Sequence, residues 1–241
     1  AQDDAALRAL APGLDMVITL GGDGTIVRAV RCVAHASVPI LGVNLGRLGF
    51  LAEVEPDDIE QSAPTILAGD YLIEERTMLQ VDVSREGEIT LRTEAINDAV
   101  LARGAISRTV RVAVEVAGRH VMTPTSDGII VSTPTGSTAY CLAAGGPIIA
   151  PDLECLAITP IAAHLGIVRS FVIPAHRHVC LSLRRGEDAV LTVDGQIDVA
   201  ISPGDVVCST ASPNKARFVR LGHAGYYYET VLQRLGWADR T

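Results

Sequence analysis

Aromatic residues are scarce in this chain of 241 residues: three Phe, five Tyr and one Trp. A core therefore has to be built from Val, Ile, Leu and Ala, which suits packed sheets carrying a few helices. No apolar run approaches the ~20 residues needed to cross a bilayer, and we expect no signal peptide. The expectation is a cytoplasmic protein with no membrane partner. Basic residues are outnumbered, 20 against 28 acidic, for a net charge of −8. They are also scattered, which leaves no basic stripe for nucleic acid. An acidic chain that handles phosphates must concentrate positive potential locally, through backbone N–H groups, a metal ion or a few arginines. Cysteines are few and odd in number, Cys32, Cys141, Cys155, Cys180 and Cys208, with none closer than Cys141 and Cys155. That spacing fits neither a zinc site nor a disulfide framework and predicts a reducing compartment. The sequence begins at Ala1 and its first strand only near Leu14, so we expect some N-terminal sequence to be missing.

Apolar residues are plentiful, at 48%, enough to fill one large domain or two small ones. Leu14–Leu20 is a short apolar run that ends in Gly21-Gly22-Asp23-Gly24-Thr25. Behind it Ile26, Val27, Val30, Val33 and Ala34 share one helical face, and Val38–Val43 reads as the next strand. Strand, helix and strand make a β-α-β unit and hence a parallel sheet. Pro56–Leu67 reads as a second helix. After about Tyr71 the texture changes to short β-rich runs, Met78–Val83, Val110–Val116, Ile129–Ser132, Val179–Leu183, Val190–Val193 and Val206–Ser209, punctuated by turns such as Ser202-Pro203-Gly204-Asp205. Helical spacing returns over Tyr226–Trp237. The expected fold class is α/β plus all-β. An α/β phosphate-binding domain spans 1–75 and is completed by a returning helix in 225–241; a β-rich, sandwich-like domain spans 76–224.

The glycine turn carries the first chemistry. Its glycines let the backbone approach a ligand closely. The helix that follows offers free N–H groups and a positive dipole end, which favour phosphate. An aspartate inside such a turn suits accepting a hydroxyl proton or holding a metal ion. The plainer reading is an ordinary β-α turn with Asp23 as its N-cap.

The run Gly21–Thr25 resembles the signature shared by NAD kinases, diacylglycerol and sphingosine kinases and, more distantly, 6-phosphofructokinases, all of which phosphorylate a hydroxyl. Three further segments are similar to NAD kinases in particular: Leu41–Leu51 (LGVNLGRLGFL), Asn97-Asp98, and Thr133–Tyr140 (TPTGSTAY) flanked by Asp127-Gly128 and Gly145-Gly146-Pro147. The matches run from Gly21 to Gln196. The TPTGSTAY run has a physical logic of its own: small hydroxyl residues among glycine and proline present several donors and acceptors in little volume, and Tyr140 can stack on a ring. The plainer reading is a turn whose hydroxyls satisfy local backbone groups.

The resemblance implies phosphoryl transfer from ATP or polyphosphate to the 2′-hydroxyl of the adenosine ribose of NAD, with acceptance of NADH as well. It implies a divalent metal ion, Mg²⁺, as cofactor, with no protein metal site of its own, and assembly as a homodimer or homotetramer. Carried over residue by residue, Asp23 is the proton acceptor, and Gly21, Gly22, Gly24 and Thr25 hold the phosphate donor. NAD contacts fall to Asp23, Gly24, Arg28, Phe50, Asn97, Asp98, Arg108, Thr125, Asp127, Thr138, Ala139, Tyr140, Cys141, Leu142, Ala143 and Gln196. For Arg28 a solvated helix face is an equal reading. No Walker A sequence is present, so the donor site is not a P-loop.

The chain departs from the family at several positions. Cys141 and Ala143 replace two serines, Thr125 stands where a basic residue is frequent, and Arg169-Ser170 stands where Arg-Pro is usual. His164 keeps its family position. Of the six histidines only His176 and His178 are close in sequence; they are expected on one face of a strand, at the surface or a subunit interface. Two other classes remain in view: a lipid kinase, against which the acidic balance and the TPTGSTAY run argue, and an NAD-sensing module without activity, against which Asp23 argues.

Overall fold

A computed structural model describes residues 2–46, 49–104, 109–163, 169–184, 188–222 and 226–236. Arg108, His164 and His223 lie outside the described residues. The chain divides into two units, Ala1–Arg76 with Asn214–Thr241, and Thr77–Pro213.

The first unit opens with α1 (Gln2–Leu10). Then β1 (Val17–Gly21) runs into α2 (Asp23–Val33) and on to β2 (Ile40–Asn44). The two strands pair in parallel, Val17 opposite Ile40 and Gly21 opposite Asn44, as the β-α-β reading requires. α2 buries Ile26, Val27, Val30 and Val33 as the spacing predicts, with Ala29 and Cys32 widening the face. β2 is buried at every position because strands flank it on both sides. α3 (Ile59–Ala68) follows a single 3₁₀ turn and stops at Gly69, whose left-handed φ of 74° glycine adopts without strain. β3 (Leu72–Arg85) begins in this unit.

The second unit contains β4 (Glu88–Ala95), β5 (Asp98–Arg103), β6 (Val110–Val116), β7 (Arg119–Met122), β8 (Thr125–Ser126) and β9 (Gly128–Ser132). After the one-turn helix α4 (Tyr140–Ala143) come β10 (Cys155–Ile161), β11 (Phe171–Pro174), β12 (Val179–Leu183), β13 (Ala189–Val193), β14 (Ile197–Ile201) and β15 (Val206–Arg220). One antiparallel sheet runs β11-β10-β9-β5-β13-β14, and the other sets β12 between β15 and β6. Leu79, Val81, Val112, Val114 and Leu181 from one sheet and Leu101, Ile129, Val131, Leu156 and Leu191 from the other form a single buried cluster. That is a β-sandwich with an aliphatic core, as the shortage of aromatics requires. The last part of β15 belongs to the first unit, where Phe218 pairs in parallel with Ile40. α5 (Tyr226–Arg234) closes the chain in that unit.

Two expectations are corrected. Cys180 and Cys208 form a disulfide. The antiparallel register of β12 and β15 sets them directly opposite one another, with Cα atoms 4.1 Å apart, a relation that linear spacing hides. The sequence argument for a reducing compartment loses that support. His176 and His178 do not share a strand face; both are exposed in the turn between β11 and β12. Among the described residues, no helix is long and apolar enough to cross a membrane.

Candidate functional site

In the first unit the glycine turn closes β1 and starts α2. Gly22 is the N-cap, and no side chain caps the helix. Asp23 is therefore not the capping residue of the plainer reading. Its carboxylate reaches a segment 27 residues further on. The Phe50 N–H donates to Oδ2 at 2.6 Å and the Leu51 N–H to Oδ1 at 3.2 Å. The two donors fix the rotation of the carboxylate. Gly49 is obligatory beside it, because a Cβ there would lie 1.9 Å from Asp23 Oδ1. Gly21 likewise leaves no room, with Thr25 Oγ1 2.5 Å from an added Cβ. Around Gly22 and Gly24, by contrast, an added Cβ would meet nothing within 4 Å. The two glycines thus leave the start of α2 uncrowded at those positions, and a helix N-terminus favours an anion. Arg28 pairs with Asp4 of α1, Nε to Oδ1 at 2.5 Å.

In the second unit Asn97 and Asp98 stand where β5 begins. The tight turn Val193–Gln196 packs against them, with Asp194 at a left-handed φ of 52°. Its carboxylate accepts from three successive N–H groups: Ile96 at 2.9 Å, Asn97 at 2.8 Å and Asp98 at 3.1 Å. Sequence reading chose Gln196 from this turn, which is exposed, and missed Asp194; an aspartate before the glycine of a hairpin turn was the available signal. Asp98 is only 4% exposed. Burial and then the Asp194 carboxylate push its carboxyl up to about 7. A carboxyl raised in the fold above its unfolded value of about 3.9 contributes stability below that pH and loses it as pH rises through about 7. Asp98→Asn should therefore raise Tm relative to the parent at pH 8, with the gain vanishing near pH 4. Thermal unfolding across that range checks this, and a gain independent of pH would contradict it.

The hydroxyl-rich run divides its roles. Thr133 Oγ1 donates to the Ile96 carbonyl and accepts from the Gly136 N–H at 3.1 Å. Ser137 Oγ donates to the Pro134 carbonyl at 2.6 Å and accepts from the Ile149 N–H at 3.0 Å. Thr138 Oγ1 donates to the Thr135 carbonyl at 3.1 Å. Thr138 thus bonds within the run, while Thr133 and Ser137 also tie it to Ile96 and Ile149. Thr135 Oγ1 and Ser132 Oγ are buried with no hydrogen-bond partner among the described residues. Ala139, Tyr140 and Ala143 are exposed and Leu142 is half-buried. Cys141 is fully buried, its Sγ 3.3 Å from Thr159 Oγ1, so its side chain faces the interior.

Asp127 pairs with Arg103, Nη2 to Oδ2 at 3.3 Å. In sequence the nearest cations to Asp127 are Arg119 and His120, but in space Arg103 serves, because β5 and β9 are neighbours. Thr125 is half-buried on β8, opposite Arg111. Among the described residues no group of three or more His, Cys, Asp or Glu side chains gathers as a metal cage.

Residues 2–71 match the model of the ATP-NAD kinase N-terminal domain, and residues 96–221 that of the ATP-NAD kinase C-terminal domain. A curated NAD kinase of Geobacter metallireducens is 42% identical over 227 residues, covering 94% of this chain and 80% of that protein. One of Symbiobacterium thermophilum is 44% identical over 224 residues, covering 92% and 78%. Among solved structures, yeast NADH kinase complexed with NADH superposes with a TM-score of 0.86 at 26% identity, covering 95% of this chain and 67% of that one. An NAD kinase from Archaeoglobus fulgidus in complex with ATP gives 0.77 at 27%, covering 91% and 82%.

Proposed function

The chain belongs to the ATP-NAD kinase family, and from that premise we propose how its own residues carry the reaction. It is a phosphotransferase with an alcohol group as acceptor, making NADP from NAD. In our reading Asp23 accepts the proton of the adenosine 2′-hydroxyl as that oxygen attacks the terminal phosphorus of the donor. The new O–P bond forms in line as the bond to the leaving phosphate breaks, and ADP departs when ATP is the donor. The observation that carries this is the Asp23 carboxylate, fixed by two backbone donors beside an open helix N-terminus.

Gly22 and Gly24 bring no side chain into the turn and have no atom within 4 Å of where one would start, and a helix N-terminus favours the phosphates of the donor there. With no group of three or more ligating side chains among the described residues, a divalent cation such as Mg²⁺ would be held mainly by the phosphates, with Asp23 the carboxylate the turn offers. When bound, the cation would neutralise phosphate oxygens. In the second unit Asn97 and Asp98 serve the adenosine ribose, and Asp127 with the Thr138–Ala143 stretch serves the two ring ends. Assembly as a homodimer or homotetramer belongs to the same reading, and sedimentation tests it. Incubation with NAD, ATP and Mg²⁺ should yield NADP. Phosphorylation of diacylglycerol or a sphingoid base instead would overturn the assignment.

The reading extends to NADH. The oxidised nicotinamide ring is cationic and the reduced ring neutral, so discrimination needs an uncompensated charge. Asp127 is compensated by Arg103, and position 125 carries a threonine with no charge. Catalytic efficiencies for NAD and NADH should therefore lie within about tenfold, roughly 1.4 kcal/mol in transition-state binding. Thr125→Arg should lower activity on NADH more than on NAD. Steady-state kinetics on both nucleotides checks this; a preference for NAD beyond about a hundredfold, ~2.7 kcal/mol, contradicts it.

A further inference from the structure

The donors that hold Asp23 are themselves held, and the chain of contacts ends in a buried guanidinium. We propose that Arg220 is a positioning residue for Asp23, acting through the Gly49–Leu51 segment; this rests on the reading of Asp23 as proton acceptor. Leu51 is the link. Its N–H donates to Asp23 Oδ1, and its carbonyl accepts from Arg220 Nη1 at 3.2 Å. The same Nη1 donates to Glu53 Oε2 at 2.9 Å, while Glu53 Oε1 accepts from the Leu221 N–H at 2.8 Å. Arg220 Nε donates to Glu74 Oε2 at 2.7 Å, and Arg76 Nη2 reaches that oxygen at 3.0 Å. Both guanidiniums stand over the Phe218 ring, 5.1 and 5.2 Å from its centroid.

Two arginines and two glutamates form this cluster. Arg76 and Arg220 are almost fully buried, as is the Glu53 side chain. Burial raises the Glu74 carboxyl, but Arg76 and Arg220 outweigh it and hold it below the ordinary carboxylate range. Ionised groups are costly to bury, and apolar replacements of the same volume are frequently no less stable. An apolar replacement of the whole cluster would lack one thing, a donor aimed at the Leu51 carbonyl.

The target needs that support. Gly49–Leu51 lies outside every helix and strand, and just beyond it the Glu53 and Val54 N–H groups donate to the Gly42 carbonyl of β2. Asp23 and Arg220 therefore grip Leu51 from its two sides, and a shift of the segment reaches the carboxylate through the Phe50 and Leu51 N–H groups. An error of about 1 Å in such placement can cost ~10²-fold in rate. Arg220 exchanges no proton and touches no reacting atom in this scheme; its effect passes wholly through Asp23.

The test is a double-mutant cycle on the full chain. Arg220→Gln, Arg220→Lys and Gly49→Ala are each made with Asp23 intact and with Asp23→Asn. Single-turnover rate, NAD Kd and Tm are measured for every variant. With Asp23 intact, Arg220→Gln should slow the chemical step by about 10- to 100-fold and leave NAD Kd within about threefold, a difference under ~0.7 kcal/mol. Arg220→Lys, which keeps the charge and a donor, should recover part of that loss. In the Asp23→Asn background the same substitutions should change the rate by less than about twofold, because residues that act as a unit are not additive. If Arg220→Gln does not fold, Arg220→Lys carries the test, with Gly49→Ala as the reference for a displaced Asp23 carboxylate beside an intact ion cluster. Equal losses in both backgrounds, or a rise in Kd matching the fall in rate, would overturn the positioning role. A parental rate for Asp23→Asn alone would instead remove Asp23 as the base, so the two failures are distinguishable.

Discussion

Asp23→Asn lowers kcat by ~10²–10⁴, the range typical for loss of a general base, and leaves NAD affinity close to that of the parent. The geometry makes the substitution more than a removed charge. Each carboxylate oxygen takes one backbone N–H, from Phe50 and from Leu51. An asparagine offers one oxygen and one NH₂, so one of the two N–H groups faces another donor. That contact costs about 1–3 kcal/mol, the penalty of an unmade buried hydrogen bond. A lower Tm should therefore accompany the kinetic loss. Steady-state kinetics, calorimetric NAD titration and thermal unfolding of one preparation give all three quantities. A variant within about threefold of the parental kcat, far short of the general-base range, would contradict the role.

Gly136→Ala is the second large effect, and its cause is steric. A Cβ at Gly136 would stand 2.1 Å from the Asn97 carbonyl oxygen, 2.5 Å from its carbon and 2.7 Å from the Asn97 Cα. These are backbone atoms, locked in turn by the Thr133 N–H to Asn97 carbonyl bond at 2.9 Å and by the three donors into Asp194. Nothing there moves cheaply. The Thr135–Thr138 turn must lift off the start of β5, and the substitution should cost ~3 kcal/mol of stability, the upper end for overpacking. Asn97, Asp98 and the Thr138–Ala143 stretch lose their mutual register, so NAD affinity should fall by about a hundredfold, ~2.7 kcal/mol. Gly24→Ala is the control for the fold: its Cβ meets nothing within 4 Å, and its Tm should match the parent. Equal Tm and Kd for Gly136→Ala and the parent would contradict the account.

The sequence is most legible where chemistry is local. The glycine turn, its strand and its helix follow one another within Val17–Val33, so residue types and spacing suffice to find them. β6 and β12, which alternate between buried and less buried positions, lie within the bounds their periodicity predicts. Polar edge strands escape that rule. In β4 Ile89 and Leu91 alternate with polar residues, but the first three residues are exposed and the apolar signal is too short to stand out. Relations between distant segments are the other blind spot. The grip of Phe50 and Leu51 on Asp23, the Arg220 cluster, the Arg103–Asp127 pair and the Cys180–Cys208 bond each join residues that only the fold makes neighbours. The TPTGSTAY run shows its residue types in the sequence but not their backbone partners: Thr133, Ser137 and Thr138 donate to the Ile96, Pro134 and Thr135 carbonyls.

In the proposed reaction this chain phosphorylates one particular hydroxyl, the 2′-hydroxyl of the adenosine ribose, with Asp23 as proton acceptor. A single incubation tests it most directly: NAD with ATP labelled in its γ-phosphate, Mg²⁺ and either the parent chain or Asp23→Asn, with the product mapped by phosphorus NMR. The account predicts label on the adenosine 2′ oxygen with the parent chain, formed ~10²–10⁴ times more slowly by the variant. Label on any other hydroxyl, or equal rates for the two proteins, would contradict it.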